Sequence, residues 1–101
     1  MNPFIDSHTH LADEAFDDDR DAVIARACDA GAVALICIGE SLDAAARARS
    51  IAARHPDLVR WTAGIHPHDA ASFDAERDIP ALEACIDAGA NGLSLINTTL
   101  G

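Results

Sequence analysis

Apolar and polar residues follow two different spacings along the chain, and the alternation between them predicts strands separated by helices. Short apolar runs at 3–8, 33–38 and 58–65 have the length of strands. Segments 17–30 and 43–55 instead repeat apolar residues every three to four positions, as an amphipathic helix does. The run at 33–38 is apolar throughout, which is typical of a strand covered on both faces of a parallel sheet.

The C-terminal third continues this order. Residues 66–78 are predicted to form a polar loop, and residues 79–88 a third helix with Pro80 in its first turn, where a missing amide hydrogen is tolerated. A short fourth strand is predicted at 93–96. The order β-α-β-α-β-α(-β) predicts an α/β fold whose parallel strands are joined by right-handed crossovers. The pattern fits an open sheet as well as the first part of a barrel.

Composition places this fold in one small domain. The chain has 101 residues, half of them hydrophobic, and no apolar run approaches the roughly 20 residues of a membrane span. The N-terminus has no charged segment followed by an apolar one, as a secretory signal would have. Three cysteines at irregular spacings contain no CxxC pair, so we expect buried free thiols in a reducing compartment. These features predict a cytoplasmic protein without membrane contact.

The charge balance bears on whether the chain binds nucleic acid. Seventeen acidic residues stand against seven arginines and no lysine, giving a formal net charge of −10. Non-specific nucleic-acid binding depends on basic side chains that neutralise phosphates, so this class is disfavoured. A nuclease is still compatible with the charge, because bound metal ions can supply positive charge locally.

The candidate chemistry begins where the first strand ends, in the stretch "FIDSHTHLAD". Asp6, His8 and His10 occupy alternate positions, so their side chains are expected on one face of the strand. The carboxyl ends of parallel strands are where α/β folds build their sites. Two imidazoles at this spacing can bind one metal ion at about 2.0–2.1 Å each. We therefore predict that His8 and His10 bind metal, the alternative being a polar turn with merely exposed histidines.

A second histidine motif, "GIHPHD", ends the third strand. His66 is expected in the same layer as the first pair, where it could orient a phosphate; His68 is a weaker candidate. Glu40, after the second strand, could reach the site, but it is assigned to the turn before the second helix. The acidic residues around the first helix are explained by the helix dipole, and His55 by a helix end.

The motifs "DSHTHL", "FDDDRDAVIARACDAG" and "GIHPHD" together resemble the TatD family of metal-dependent deoxyribonucleases, which are amidohydrolase-like barrels. The likeness runs colinearly from about residue 2 to about residue 90. It implies a (β/α)8 TIM barrel with divalent metal ions (Mg, Mn or Zn) at its C-terminal face, and hydrolysis of phosphodiester bonds in DNA. By position, His8 and His10 match the family's first metal ligands, and His66 matches the histidine near the substrate phosphate.

The resemblance stops after "DAGA". The family continues into "GEIGLDY", whose Glu bridges the metals, whereas this chain reads "NGLSLINTTLG". A (β/α)8 barrel takes about 250 residues. We therefore expect a partial barrel domain at 1–90 and a divergent tail at 91–101.

A truncated chain of this kind should lack hydrolase activity. No catalytic residue can be assigned with certainty, and its open sheet edges should favour self-association. Two alternatives remain: a non-catalytic remnant that binds metal weakly, and another amidohydrolase-like enzyme acting on C–N bonds.

Overall fold

Parallel strands and helices alternate through the part of the chain that the structure describes. The structure is a computed structural model and describes residues 2–65 and 72–94. The elements are β1 (Phe4–Thr9), a 3-10 turn (Glu14–Phe16), α1 (Arg20–Asp29), β2 (Ala32–Cys37), α2 (Leu42–Arg54), β3 (Val59–Gly64), α3 (Ala75–Asp87) and β4 (Gly92–Ser94).

The strands form one open sheet in the order β1-β2-β3-β4, and all three pairings are parallel. Leu35 is in register with Val59, and Thr62 with Gly92. This confirms the predicted α/β class, and the open parallel sheet with alternating helices is consistent with part of a TIM barrel. All four carboxyl ends meet at one edge, which is where polar side chains from different strands can converge.

The core lies where α2 covers β3. Ala45, Ala48 and Ile51 of α2 are buried against a cluster that includes Val59 and Trp61 of β3. Small alanine side chains allow the helix to approach the sheet closely. α1 adds a single fully buried residue, Ile24, to the same cluster.

Gly39 marks the closest approach between β2, β3 and α2. A Cβ at this position would overlap the main-chain oxygen of Thr62 and lie 2.7 Å from the Cα of Ala45. The Gly39 amide also donates to the Thr62 hydroxyl at 3.2 Å. Only glycine fits here, and the chain leaving β2 is therefore held in one position.

Two helix starts differ from the prediction. α1 begins at Arg20 rather than 17, because Asp13 caps a separate 3-10 turn by accepting from the Ala15 amide at 2.8 Å. α3 begins at Ala75 rather than 79, because the Asp74 carboxylate accepts from the Glu76 amide at 3.0 Å. Pro80 consequently lies in the second turn of α3, not the first.

The C-terminal part of the described chain also differs in detail. Asp78 completes the cap of α3, since its Oδ2 accepts from the Asp74 amide at 2.9 Å, so residues 75–78 are helical rather than loop. β4 spans Gly92–Ser94, whereas the predicted strand was 93–96; residues 95 and 96 lie outside the described part.

The cysteines match the prediction only in part. All three are free; Cys37 is fully buried, Cys85 is partly buried, and Cys28 is exposed. Burial raises the pKa of the Cys37 thiol. Among the helices of the described ranges, none has the length and apolar character needed to cross a membrane.

Candidate metal centre

The end of β1 is fixed against β2 by hydrogen bonds around Thr9. Its hydroxyl donates to the Ile36 carbonyl at 3.0 Å, and its own carbonyl accepts from the Ile38 amide at 3.0 Å. Thr9 is also in register with Cys37. His8 and His10 flank this residue, so the backbone that carries both imidazoles is held by the neighbouring strand.

The loop after His10 is anchored by two arginines from different helices. Arg20 Nε donates to the Leu11 carbonyl at 2.6 Å, and Arg47 Nε donates to the Ala12 carbonyl at 3.0 Å. Leu11 and Ala12 are themselves buried. His10 thus lies between an anchored strand and an anchored loop, although its side chain is exposed. Sequence reasoning missed both arginines, because their acceptors are main-chain carbonyls that no side-chain motif reveals.

The two histidines come together as the alternate spacing predicts. The ring centroids of His8 and His10 are 4.9 Å apart and the rings are nearly perpendicular, at 74°. The Asp6 carboxylate accepts from the main-chain amide of His8 at 3.2 Å, which restrains the strand between them. Both imidazole side chains are open to solvent.

This donor pair fits part of a metal coordination sphere. Zinc binds imidazole nitrogen at about 2.0–2.1 Å, so rings at this separation are close enough to share one ion. Within residues 2–65 and 72–94, however, no three His, Cys, Asp or Glu side chains are grouped so that they could hold an ion. The described part of the chain therefore offers two ligands, where catalytic zinc sites usually have three from the protein.

Glu40 lies beside the pair, at the place from which the sequence indicates that it could reach the site. Its Oε2 is 3.9 Å from His10 Nδ1, and the side chains are 41% and 48% exposed, respectively. It does precede α2 as predicted, since the next residue, Ser41, caps the helix by accepting from the Ala44 amide at 3.0 Å. The available signal was the parallel pairing of β1 and β2, which places the residues after both strands at the same edge.

A small polar cavity opens next to His10. Its volume is about 270 Å³, and its lining includes His10, Asp13, Glu14, Glu40 and Arg47. Four of these are titratable groups that follow β1 or β2, as expected at the carboxyl edge of a parallel sheet. His10 is therefore accessible from this cavity.

Asp17, Asp21 and His55 make contacts of their own around α1 and α2. His66 and His68 lie outside the described residues, so their predicted roles stay predictions. Asp17 pairs with Arg20 at 2.8 Å, and Asp21 lies 3.4 Å from both Arg54 and His55. These surface pairs account for Asp17 and Asp21 without a metal, and His55 follows the last residue of α2.

Comparisons with known proteins show which sequences this chain is similar to. A family model described as TatD related DNase matches residues 5–93. A protein of Dickeya dadantii named 3'-5' ssDNA/RNA exonuclease TatD is 39% identical over 69 residues, which are 68% of this chain and 26% of the relative. A relative of the same name from a Rahnella species is 34% identical over 89 residues, 83% of this chain and 34% of its own length. The chain thus spans about a quarter to a third of these relatives.

Proposed function

The chain belongs to the family of TatD-related DNases, and from this premise we propose that it supplies the N-terminal part of a divalent-metal-dependent phosphodiester hydrolase. The observation that carries the proposal is the His8–His10 pair, with ring centroids 4.9 Å apart, at the carboxyl end of β1. Residues 1–90 are proposed as the barrel part and residues 91–101 as a divergent tail. Three free cysteines favour a reducing compartment, and we propose the cytoplasm.

In this proposal His8 and His10 hold the ion through neutral ring nitrogens, while Thr9 and the buried loop keep their backbone in place. A bound divalent metal would polarise the phosphoryl oxygen and lower the pKa of a water molecule. Imidazole ligands suit zinc better than magnesium, and manganese is the third candidate. His66 is proposed to contact the substrate phosphate.

The proposed substrate is nucleic acid with an accessible end. The relatives carry the name 3'-5' ssDNA/RNA exonuclease, which supports DNA or RNA as the substrate class. With a net charge of −10, the chain gains nothing from general attraction to a polyanion. Substrate binding therefore depends on local positive charge at the metal and on groups such as Arg47 in the adjacent cavity.

We further propose that residues 1–101 alone do not hydrolyse DNA. The described residues bring two ligands together and no third, and a loosely held metal loses much of its catalytic effect. The isolated chain would then behave as a non-catalytic remnant that binds metal weakly. The alternative of a C–N hydrolase is disfavoured, because the family match is to DNases.

The test is a chimera in which the tail from residue 91 is replaced by the remaining barrel of a TatD relative. We expect metal-dependent cleavage of single-stranded DNA by the chimera and none by the 101-residue chain. His8→Ala and His10→Ala should abolish turnover in the chimera. His55→Ala is the matched control, because this histidine ends α2 and pairs with Asp21. Full activity in the double variant would refute the proposed role of the pair.

A further inference from the structure

We propose that Glu40 is a positioning residue that orients the His10 ring, so that Nδ1 carries the proton and Nε2 is free to bind a metal ion. The proposal rests on the metal site proposed above and adds a residue to it. Its starting point is the approach of Glu40 Oε2 to His10 Nδ1, at 3.9 Å. Carboxylates commonly accept the second ring N–H of a metal-binding histidine, which fixes both the tautomer and the ring orientation.

The backbone at both residues is constrained, so their proximity follows from the fold. On one side, Thr9 is bonded to β2 through its hydroxyl and its carbonyl, and His10 follows it. On the other side, Glu40 stands between Gly39, where no Cβ fits, and Ser41, whose hydroxyl caps α2. Two exposed side chains on mobile loops would meet only occasionally, whereas these two extend from fixed points on adjacent strands.

At 3.9 Å the contact is longer than a hydrogen bond. Hydrogen bonds of this kind are commonly long in a site without its ligand and tighten when the ligand binds. Metal binding at Nε2 makes the Nδ1 proton more acidic and therefore a better donor to Glu40. The Glu40 carboxylate would thus make His10 a more basic metal ligand, in addition to placing negative charge near the ion.

A second carboxylate in the same cavity, Glu14, serves as the control for the effect of negative charge alone. Glu14 lines the cavity with His10 and Glu40, but it belongs to the 3-10 turn after β1. Removing either carboxylate changes the local charge equally. In the described part of the chain, Glu40 Oε2 lies 3.9 Å from His10 Nδ1 and Glu14 makes no such contact, so positioning predicts different effects for Glu40→Ala and Glu14→Ala.

The first measurement uses the metal-free 101-residue chain labelled with 15N at histidine. Long-range 1H–15N spectra at a pH where imidazole is neutral report which ring nitrogen is protonated, and His10→Ala assigns the His10 signals. We expect His10 to be protonated mainly at Nδ1 in the wild type and in Glu14→Ala. In Glu40→Ala, the His10 tautomer should shift towards the Nε2-protonated form that free histidine prefers. Glu40→Gln keeps an acceptor oxygen, so this variant should retain part of the preference for Nδ1 protonation. An unchanged His10 tautomer in Glu40→Ala would overturn the proposal.

The second measurement is the dissociation constant for Zn²⁺, determined by competition with a chromophoric chelator. Glu40→Ala should weaken binding by about tenfold, the lower end of what such outer contacts contribute, and Glu14→Ala by much less. If His8→Ala with His10→Ala leaves Zn²⁺ affinity unchanged, the proposed metal pair itself fails. If that variant loses binding while Glu40→Ala and Glu14→Ala have equal effects, the metal pair stands and the positioning role of Glu40 is wrong.

Discussion

β1 and β3 are strands of the same length in the same parallel sheet, yet they differ in nearly every physical respect. Val59 of β3 is 2% exposed, and Trp61 and Ala63 are also buried. On β1, Phe4 is 41% exposed and Ile5 is 61% exposed. β3 pairs on both sides and is covered by α2, whereas the described part of the chain gives β1 a strand neighbour only at β2.

The candidate metal ligands and most of the buried core are therefore carried by different strands. His8 and His10 lie on or just after the exposed β1, while the free energy of burial is concentrated around β3 and α2. Apolar burial contributes about 25 cal/mol per Å², so exposed β1 side chains contribute little to folding in this chain. Substitutions in the two regions should therefore separate stability from metal binding.

The largest effect is expected at Gly39, which lies against β3 and α2 on the buried side of the comparison. Gly39→Ala forces a Cβ against the Thr62 carbonyl and the Ala45 Cα, and neither backbone group can move without shifting β3 or α2. We expect a loss of 3 kcal/mol or more, roughly the upper end of overpacking costs, which should leave the chain largely unfolded by circular dichroism. In the control Gly92→Ala, the new Cβ meets only the Thr62 methyl at 3.7 Å. Equal stability of the two variants would contradict the close approach at Gly39.

The next effect compares apolar truncations on the two strands directly. Val59→Ala should cost about 2–3 kcal/mol, because it removes buried methyl groups and leaves a cavity. Ile5→Ala removes more atoms but should cost less than about 0.5 kcal/mol, because the side chain is mainly exposed. Urea denaturation of the two variants measures the difference.

The Ile5 variant also bears on self-association through the β1 edge, which remains a prediction. If copies of the chain cover β1 in solution, Ile5→Ala should destabilise at high protein concentration and not at low concentration. Light scattering at the same concentrations provides the control. A cost for Ile5→Ala equal to that for Val59→Ala in a monodisperse monomer would break the comparison between the strands.

The smallest effect concerns pH and the cap of α3. Hydrogen bonds from the Arg77 guanidinium, followed by the Asp74 amide, lower the pKa of Asp78 from 3.8 to about 2. Because the folded-state pKa is depressed, the ionised carboxylate stabilises the fold above about pH 3.8, and this contribution is lost as pH falls through about 2. Asp78→Asn should therefore be less stable than the wild type at pH 6, with the gap narrowing towards pH 2. Glu83→Gln, on the exposed face of α3, should show no such narrowing.

The sequence predicts the sheet and the histidine pair well, because both depend on local patterns. The apolar run that became β2 and the alternate spacing of His8 and His10 each need only a few consecutive residues. The start of α3 was placed too late, because Pro80 suggests a first turn. Its true cap is Asp74, reinforced by a carboxylate four residues on.

The parts that could not be predicted depend on contacts between distant segments. Glu40 is thirty residues from His10; the sequence indicates that it could reach the site, but its contact with Nδ1 of His10 depends on the β1–β2 pairing. Arg20 and Arg47 bind main-chain carbonyls of the loop after β1, and no pattern of side chains identifies such acceptors. These three residues define the surroundings of the candidate metal ligands.

Calorimetric titration of the 101-residue chain with Zn²⁺, alongside urea denaturation of the same samples, measures metal binding and folding stability separately. We expect weak, reversible binding that dialysis removes, because only two ligands are assembled in the described residues. His8→Ala with His10→Ala should abolish this binding and leave the denaturation midpoint unchanged, whereas His55→Ala should leave the binding unchanged. A tight stoichiometric ion retained by the double variant, or a double variant that loses its fold together with its metal, would contradict the separation of site and core.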